Sequence, residues 1–199
     1  GSVKRRAPLA SLAVLVWAVL APASAGGQGF VFESTPRFDV TIVIEPSGDL
    51  LITETIVQEF GSTERHGIFR IIPNRLRYDN EFDRVYPIDL ISVNASADTP
   101  EDVETKEENG NFVIRIGDPE TTITGRHIYE IVYRVEGAMN GFDSHDELFW
   151  NVIGNEWEQS IGEMNVRVTA SADVTRVACF EGMFGSTAEC NQAQITKKG

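Results

Sequence analysis

Carboxylates are the most abundant acid–base groups in this chain, which has 30 Asp and Glu residues but only 17 Lys and Arg. Glu54 and Glu147 are candidates for the two carboxylates of a glycoside hydrolase. That chemistry depends on their separation in space, which their spacing in the sequence does not reveal. The sequence has no Gly-x-Ser-x-Gly motif for a nucleophile elbow. A hydrolase with paired carboxylates is therefore the third of three functional hypotheses.

The segment Asn140–Glu147 is the best candidate for a cation site, because Asp143, Asp146 and Glu147 offer oxygen ligands within one loop. It lacks the alternating Asp and Asn residues followed by glycine that are typical of calcium loops, so a solvated acidic hairpin loop is favoured. The three histidines lie on separate segments without zinc-ligand spacing. The sequence predicts no metal and no cofactor, with calcium at this loop as the alternative.

The aromatic residues near position 150 offer binding rather than catalysis. Trp150 and Trp157, with Asn151 and Gly154 between them, could form a platform on which a sugar or a peptide stacks. The favoured interpretation is structural. In it the aromatic rings complete the core, Asn151 bonds to backbone atoms and Gly154 adopts an unusual backbone conformation.

Arg70 lies between two apolar residues, so it must either face solvent or pair with a carboxylate. Glu54 and Glu147 are both possible partners for such a pair. The alternative is that Arg70 binds a carboxylate or phosphate of a ligand. The ion pair is the favoured interpretation, with its partner left open.

Apolar residues alternate with period two along most of the chain, which predicts strands. Runs at 37–45 and 50–60, separated by a Pro-Ser-Gly-Asp turn, predict a hairpin. Further strands are predicted at 67–72, 85–95, 111–117, 126–135, 147–154, 164–170 and 175–180, and another strand begins at 193. The acidic stretch 98–108 is predicted to be a solvated loop, and helix is limited to a turn or two at 155–160. This pattern predicts an all-β antiparallel β-sandwich, immunoglobulin-like or jelly-roll-like.

The first 25 residues have the features of an export signal. A basic patch precedes an apolar stretch at 9–20 that is too short to cross a bilayer, and small residues then fit a signal-peptidase site. In an exported chain, Cys179 and Cys190 are predicted to form a disulfide. The predicted organisation is a signal peptide at 1–25, a linker at 26–35 and a sandwich domain at 36–199, which either closes there or continues in a longer protein.

The net charge of −13 argues against nucleic acid as a partner. Nucleic-acid affinity is built from Lys and Arg on phosphates, and the leader alone holds three of the 17 basic residues. The acidic surface is interpreted as a source of solubility.

Several sequence blocks in this order resemble the YciQ-like predicted membrane proteins. They are Gly67–Pro73 (Gly-Ile-Phe-Arg-Ile-Ile-Pro), His127–Tyr133, and Glu147–Trp157 with its Trp-Asn-Val-Ile-Gly core. The resemblance covers about residues 36–195. It implies a signal peptide, a β-rich extracytoplasmic domain of unknown function and C-terminal transmembrane helices. Its motif residues are interpreted as structural: Glu54, Gly67, Arg70, Pro73, Tyr129, Tyr133, Glu147, Trp150, Asn151, Gly154 and Trp157.

The leading hypothesis is a non-catalytic extracytoplasmic domain that binds, senses or acts as a scaffold in the cell envelope. It is expected on the outer face of the plasma membrane or secreted, with envelope or membrane proteins as partners and with membrane anchoring through segments outside this chain. The alternative is a carbohydrate- or calcium-dependent binding module that uses the two tryptophans and the acidic loop.

Overall fold

The computed structural model describes residues 32–77, 80–182 and 185–196, and in these residues the regular structure is all strand. The predicted signal peptide lies outside the described residues. The strands are β1 (Ser34–Ile44), β2 (Leu50–Glu59), β3 (Ile68–Pro73), β4 (Arg75–Arg77), β5 (Asp83–Val85), β6 (Ile88–Ala95), β7 (Val103–Glu108), β8 (Asn111–Ile116), β9 (Arg126–Val135), β10 (Met139–Gly141), β11 (Asp146–Leu148), β12 (Ile161–Ala170), β13 (Phe180–Glu181) and β14 (Ala188–Glu189).

The larger sheet has five strands in the order β12-β1-β2-β9-β6. The strands β1 and β2 form the predicted hairpin, and β1 pairs with β12 in parallel, whereas the other neighbours are antiparallel. Alternate residues of β2 and β9 are buried, because successive side chains of a strand point to opposite faces. One face of this sheet therefore forms core, and the other faces solvent.

The smaller sheet has three strands in the order β3-β8-β7. The hairpin β7–β8 turns at Asn109 and Gly110, whose φ angles are 52° and 78°, as expected of an Asn-Gly hairpin turn. The prediction of a loop over all of 98–108 is wrong, since residues 103–108 form the edge strand β7. Its side chains are all exposed, so the strand shows no apolar alternation that could reveal it.

The two sheets share one hydrophobic core, which confirms the all-β sandwich-like prediction. The five-stranded sheet contributes apolar side chains from β1, β2 and β9, and the three-stranded sheet contributes them from β3 and β8. Burial of this apolar surface is the main favourable term in folding. The fully buried residues with the largest side chains are Arg70, Tyr129, Tyr133, Phe38, Ile42, Leu50, Ile52, Ile56, Ile72, Ile114, Ile116 and Ile131.

Several predicted strands are shorter in the structure. The run 85–95 is split at Tyr86 and Pro87, because Tyr86 N donates to Asn74 O and Pro87 has no N–H for a ladder. The run 147–154 leaves strand geometry after Leu148. Of the run 175–180 only Phe180 lies in a strand, and residues 193–196 form none. The turn of helix predicted at 155–160 is also wrong.

A disulfide joins Cys179 and Cys190 and confirms the predicted pairing. It closes the short hairpin β13–β14, whose strands pair only with each other among the described residues. Nearly all described residues after β12 are exposed. The disulfide therefore fastens a peripheral loop rather than the two sheets.

Candidate functional site

Arg70 reaches the core from the middle of β3. Its neighbours in the strand, Ile68 and Ile72, point the same way and are buried, whereas Phe69 points outward and is 58% exposed. The strand begins beside Gly67, where a Cβ atom would stand only 1.9 Å from Ile116 O. This close approach to the end of β8 leaves no room for a side chain and requires glycine.

The partner of Arg70 is Glu54, in the middle of β2 on the facing sheet. Arg70 Nε donates to Glu54 Oε2 at 2.6 Å, and Arg70 Nη2 donates to Glu54 Oε1 at 2.8 Å. Both residues have zero exposure. This two-point geometry is the strongest form of an Arg–carboxylate pair. It joins the two sheets across the core, and it selects one of the two partners that the sequence left open.

Tyr133 of β9 completes the coordination of the carboxylate, because its hydroxyl donates to Glu54 Oε1 at 2.7 Å. Tyr133 is also fully buried. The guanidinium lies over the ring of Phe38 at 5.7 Å from the centroid. We call Glu54, Arg70, Tyr133 and Phe38 the ionic centre. The sequence predicts a structural role for Tyr133, on the alternating buried face of β9, but it does not reveal the hydrogen bond to Glu54.

The remaining guanidinium hydrogens of Arg70 bind backbone carbonyls. Nη1 donates to Ile71 O at 2.9 Å and to Ile153 O at 2.8 Å, and Nη2 donates to Val152 O at 2.7 Å. With the two bonds to Glu54, all five donors of the guanidinium are satisfied. In the segment after β11, the carbonyls of residues 152 and 153 thus point at Arg70 instead of at a neighbouring strand.

The electrostatics of the ionic centre keep it in one charge state. Burial by itself lowers the pKa of Arg70, but the negative charge and hydrogen bonds of Glu54 outweigh it and raise this pKa above its usual value. Burial, followed by the charge of Glu54, raises the pKa of Tyr133 well above its usual value. The arginine therefore stays charged and the tyrosine stays neutral at ordinary pH.

Asn151 and Gly154 shape the loop that delivers these carbonyls. Asn151 Oδ1 accepts a hydrogen bond from Gly154 N at 3.0 Å, and Asn151 Nδ2 donates to Asn155 Oδ1 at 3.1 Å. Gly154 has a φ of 83°, and a Cβ atom there would lie 3.0 Å from Ile71 O and 3.1 Å from Pro73 Cδ. The loop thus lies directly against the end of β3, in a conformation that favours glycine.

The two tryptophans pack on the core at separate places. The ring of Trp157 meets Phe38 edge-on at 5.3 Å, and its Nε1 donates to Thr35 Oγ1 at 3.1 Å. The ring of Trp150 meets Tyr86 edge-on at 5.9 Å. Both tryptophans are half-buried. Within the described part of the chain, Trp150 Nε1 and the hydroxyl of Tyr129 are buried without a hydrogen-bond partner.

The acidic candidates lie outside this centre. Glu147 is exposed in β11, where it pairs with Asn140 of β10, and Asp143 and Asp146 are exposed in the same hairpin. In residues 32–77, 80–182 and 185–196, no group of three or more His, Cys, Asp or Glu side chains could hold a metal ion. Glu54 has no solvent-accessible surface and is held by Arg70 and Tyr133. The structure thus does not bring Glu54 and Glu147 together as one carboxylate pair.

The fold and the ionic centre define a β-sandwich domain whose two sheets are joined by a buried Arg–Glu pair. The chain belongs to the family described as the N-terminal domain of predicted membrane proteins (DUF2207), whose model matches residues 34–196. The function of that domain is unknown. Among the residues that the structure describes, no helix is long and apolar enough to cross a membrane.

The chain is also similar to a curated bacterial protein. It is 28% identical over 127 residues to the uncharacterized protein YciQ of Escherichia coli strain K12. The match covers 63% of this chain but only 20% of that relative's length. This chain therefore corresponds to about a fifth of the relative.

Two solved structures show a weak likeness. One is a two-domain M1 zinc metallopeptidase bound to L-tryptophan, with a TM-score of 0.34, 9% identity and coverage of 56% of this chain and 22% of that one. The other is an M1 zinc metallopeptidase from Deinococcus radiodurans, with a TM-score of 0.34, 8% identity and coverage of 55% and 21%. These scores carry no argument about this chain.

Proposed function

We propose that this domain is a non-catalytic extracytoplasmic module of a membrane-anchored protein, in which it assembles with other components of the cell envelope. The observation that carries the proposal is the saturation of the ionic centre. Arg70 and Glu54 have zero exposure, and every guanidinium donor is already bonded within the domain. A group in this state offers nothing to a substrate, so these motif residues maintain the fold and leave function to the surface.

Two further facts support placement outside the cytoplasm. The family is one of predicted membrane proteins. The disulfide between Cys179 and Cys190 is of a kind that persists in oxidising compartments and is rare in the cytosol.

The location is tested with the full-length protein in intact cells. Ser144 is exposed in the hairpin between β10 and β11, so the Ser144→Cys variant adds one accessible thiol to the domain. A membrane-impermeant maleimide should label this variant equally in intact and in lysed cells. The unsubstituted domain is the control, since its two cysteines should react only after reduction. Labelling of the Ser144→Cys variant that requires lysis would contradict the proposal.

The assembly part is tested by photo-crosslinking in the same cells. A photoreactive residue replaces exposed apolar side chains, such as Phe69 (58% exposed) or Phe149 (65% exposed). The matched control replaces Thr41, an exposed residue on the solvent face of β1. Assembly predicts discrete adducts that depend on the position of the photoreactive residue. If no exposed position gives adducts, the proposed assembly with envelope components is refuted, even where the extracytoplasmic location is correct.

A further inference from the structure

Four strands, β12, β6, β3 and β7, lie at the edges of the two main sheets among the described residues, and only β12 lacks protection. The loop at Gly154 lies against the end of β3, where a Cβ atom would be 3.0 Å from Ile71 O. The edge strand β6 has a register irregularity between Leu90 and Ser92, and β7 is dominated by charged residues. Bulges and charges are the usual means of preventing edge-to-edge pairing. In contrast, β12 is ten residues long and pairs with β1 without an irregularity along its length. Its outer edge therefore offers free N–H and C=O groups to another strand.

The inner face of β12 is apolar and uncovered. Met164, Val166 and Val168 pair with Phe38, Val40 and Ile42 of β1, which are all buried in the core. Paired residues share a face of the sheet, so these three side chains continue the core face. Val166 and Val168 are nevertheless each 43% exposed. The core face thus extends past the part of the molecule that covers it.

The charges of β12 make it complementary to itself. In an antiparallel pair of two β12 strands centred on Asn165, Glu163 of each copy lies opposite Arg167 of the other. On the inner face, the same register places Met164 opposite Val166 and the small Gly162 opposite Val168. Opposite charges and apolar pairs at directly opposed positions stabilise a sheet. Among the residues that the structure describes, no ion pair engages Arg167.

Neighbouring registers are less favourable. Moving the centre of the pair by two residues to Glu163 places two glutamates opposite each other, and moving it by two residues to Arg167 places two arginines opposite each other. Like charges directly opposite each other destabilise a strand pair. Registers centred on Met164 or on Val166 lose both Glu–Arg pairs, and any register that exchanges the two faces would expose the apolar row.

We propose that β12 pairs in antiparallel orientation with β12 of a second copy of this chain, centred on Asn165. Two five-stranded sheets then form one continuous sheet across a two-fold axis, with both apolar rows side by side. This isologous contact is the ordinary geometry of a homodimer. The inference rests on the proposed function, which it deepens by naming the partner as a second copy.

The register is tested by disulfide trapping of the full-length protein in membranes under mild oxidation. Opposed residues in an antiparallel pair have Cα atoms about 4.5–5.5 Å apart, within disulfide range. Asn165→Cys should therefore give a disulfide-linked dimer. Glu163→Cys and Arg167→Cys are matched single-cysteine controls and should not, since each is roughly 13 Å from its own copy at about 3.3 Å per residue. Together in one chain, they should give the dimer again.

The charge pair gives a second readout. Arg167→Glu in the Asn165→Cys background should lower the yield of linked dimer at least about tenfold, and adding Glu163→Lys should restore it, because the swapped charges again oppose each other. Val43→Lys, on the solvent face of β1, is the control and should leave the yield unchanged. Equal trapping at all three single-cysteine positions, or no trapping at Asn165, would overturn the proposal. Neither result would affect the maleimide test of location.

Discussion

Replacing Arg70 with methionine should nearly unfold the domain. The change leaves Glu54 buried without its charge partner, which costs about 3–5 kcal/mol in comparable buried pairs. It also leaves the carbonyls of Ile71, Val152 and Ile153 without their donor, and these half-buried groups add about 1–2 kcal/mol. The expected loss of about 4–7 kcal/mol is comparable to the whole stability of a typical domain, about 5–15 kcal/mol.

The assay is urea unfolding at neutral pH, followed by tryptophan fluorescence, because Trp150 and Trp157 both pack on the core. Arg126→Met is the matched control. Arg126 pairs with Glu59 at 3.1 Å but is 62% exposed, so its replacement should leave the unfolding midpoint almost unchanged. Arg70→Lys keeps the charge but loses the forked donors, and it should lie between the native protein and Arg70→Met.

The double variant Glu54→Leu with Arg70→Met keeps this prediction measurable even where the single variant fails to fold. It removes both charges together, so only the backbone carbonyls and the Tyr133 hydroxyl lose partners. It should therefore be more stable than either single variant by at least about 2 kcal/mol. Additive losses in the two single variants, or a loss below about 1 kcal/mol for Arg70→Met, would refute the role of the ionic centre.

Three further predictions concern the loop, the pH and the disulfide. Gly154→Ala should destabilise the domain by about 1–3 kcal/mol in urea unfolding and more than Gly137→Ala, since both positions have positive φ but only Gly154 is crowded. Burial raises the pKa of Tyr129 to about 12, above about 10 in the unfolded chain. The contribution of neutral Tyr129 to the stability of the folded state is thus complete below about pH 10 and is lost as the pH rises to about 12. Tyr129→Phe should flatten this decline in the urea midpoint, and an unchanged slope would contradict the assignment. Reduction of Cys179–Cys190 should expose the β13–β14 loop to protease while the midpoint of the sheets stays nearly constant, because that hairpin is peripheral. A large fall in the midpoint would show that the loop supports the core.

Local patterns predicted the strands of the central sheet and their buried faces. The alternation in β2 and β9 arises within one strand, where side chains point to opposite faces whatever else the chain does. The same reasoning fails where the signal is not local. The strand β7 has no buried face, so its sequence predicts a loop. The alternation at 147–154 predicts a strand, although the carbonyls of Val152 and Ile153 turn toward Arg70.

The sequence by itself determined that the chain forms a sandwich of short strands, that Cys179 pairs with Cys190, and that Arg70 needs a partner. It left that partner open between Glu54 and Glu147, because a buried charge takes whichever acceptors the folded chain places beside it. Only the tertiary structure placed Glu54, Tyr133 and the carbonyls of a distant loop around one guanidinium. The alternation of side chains depends on backbone geometry within a strand, whereas the satisfaction of Arg70 depends on which strands and loops meet.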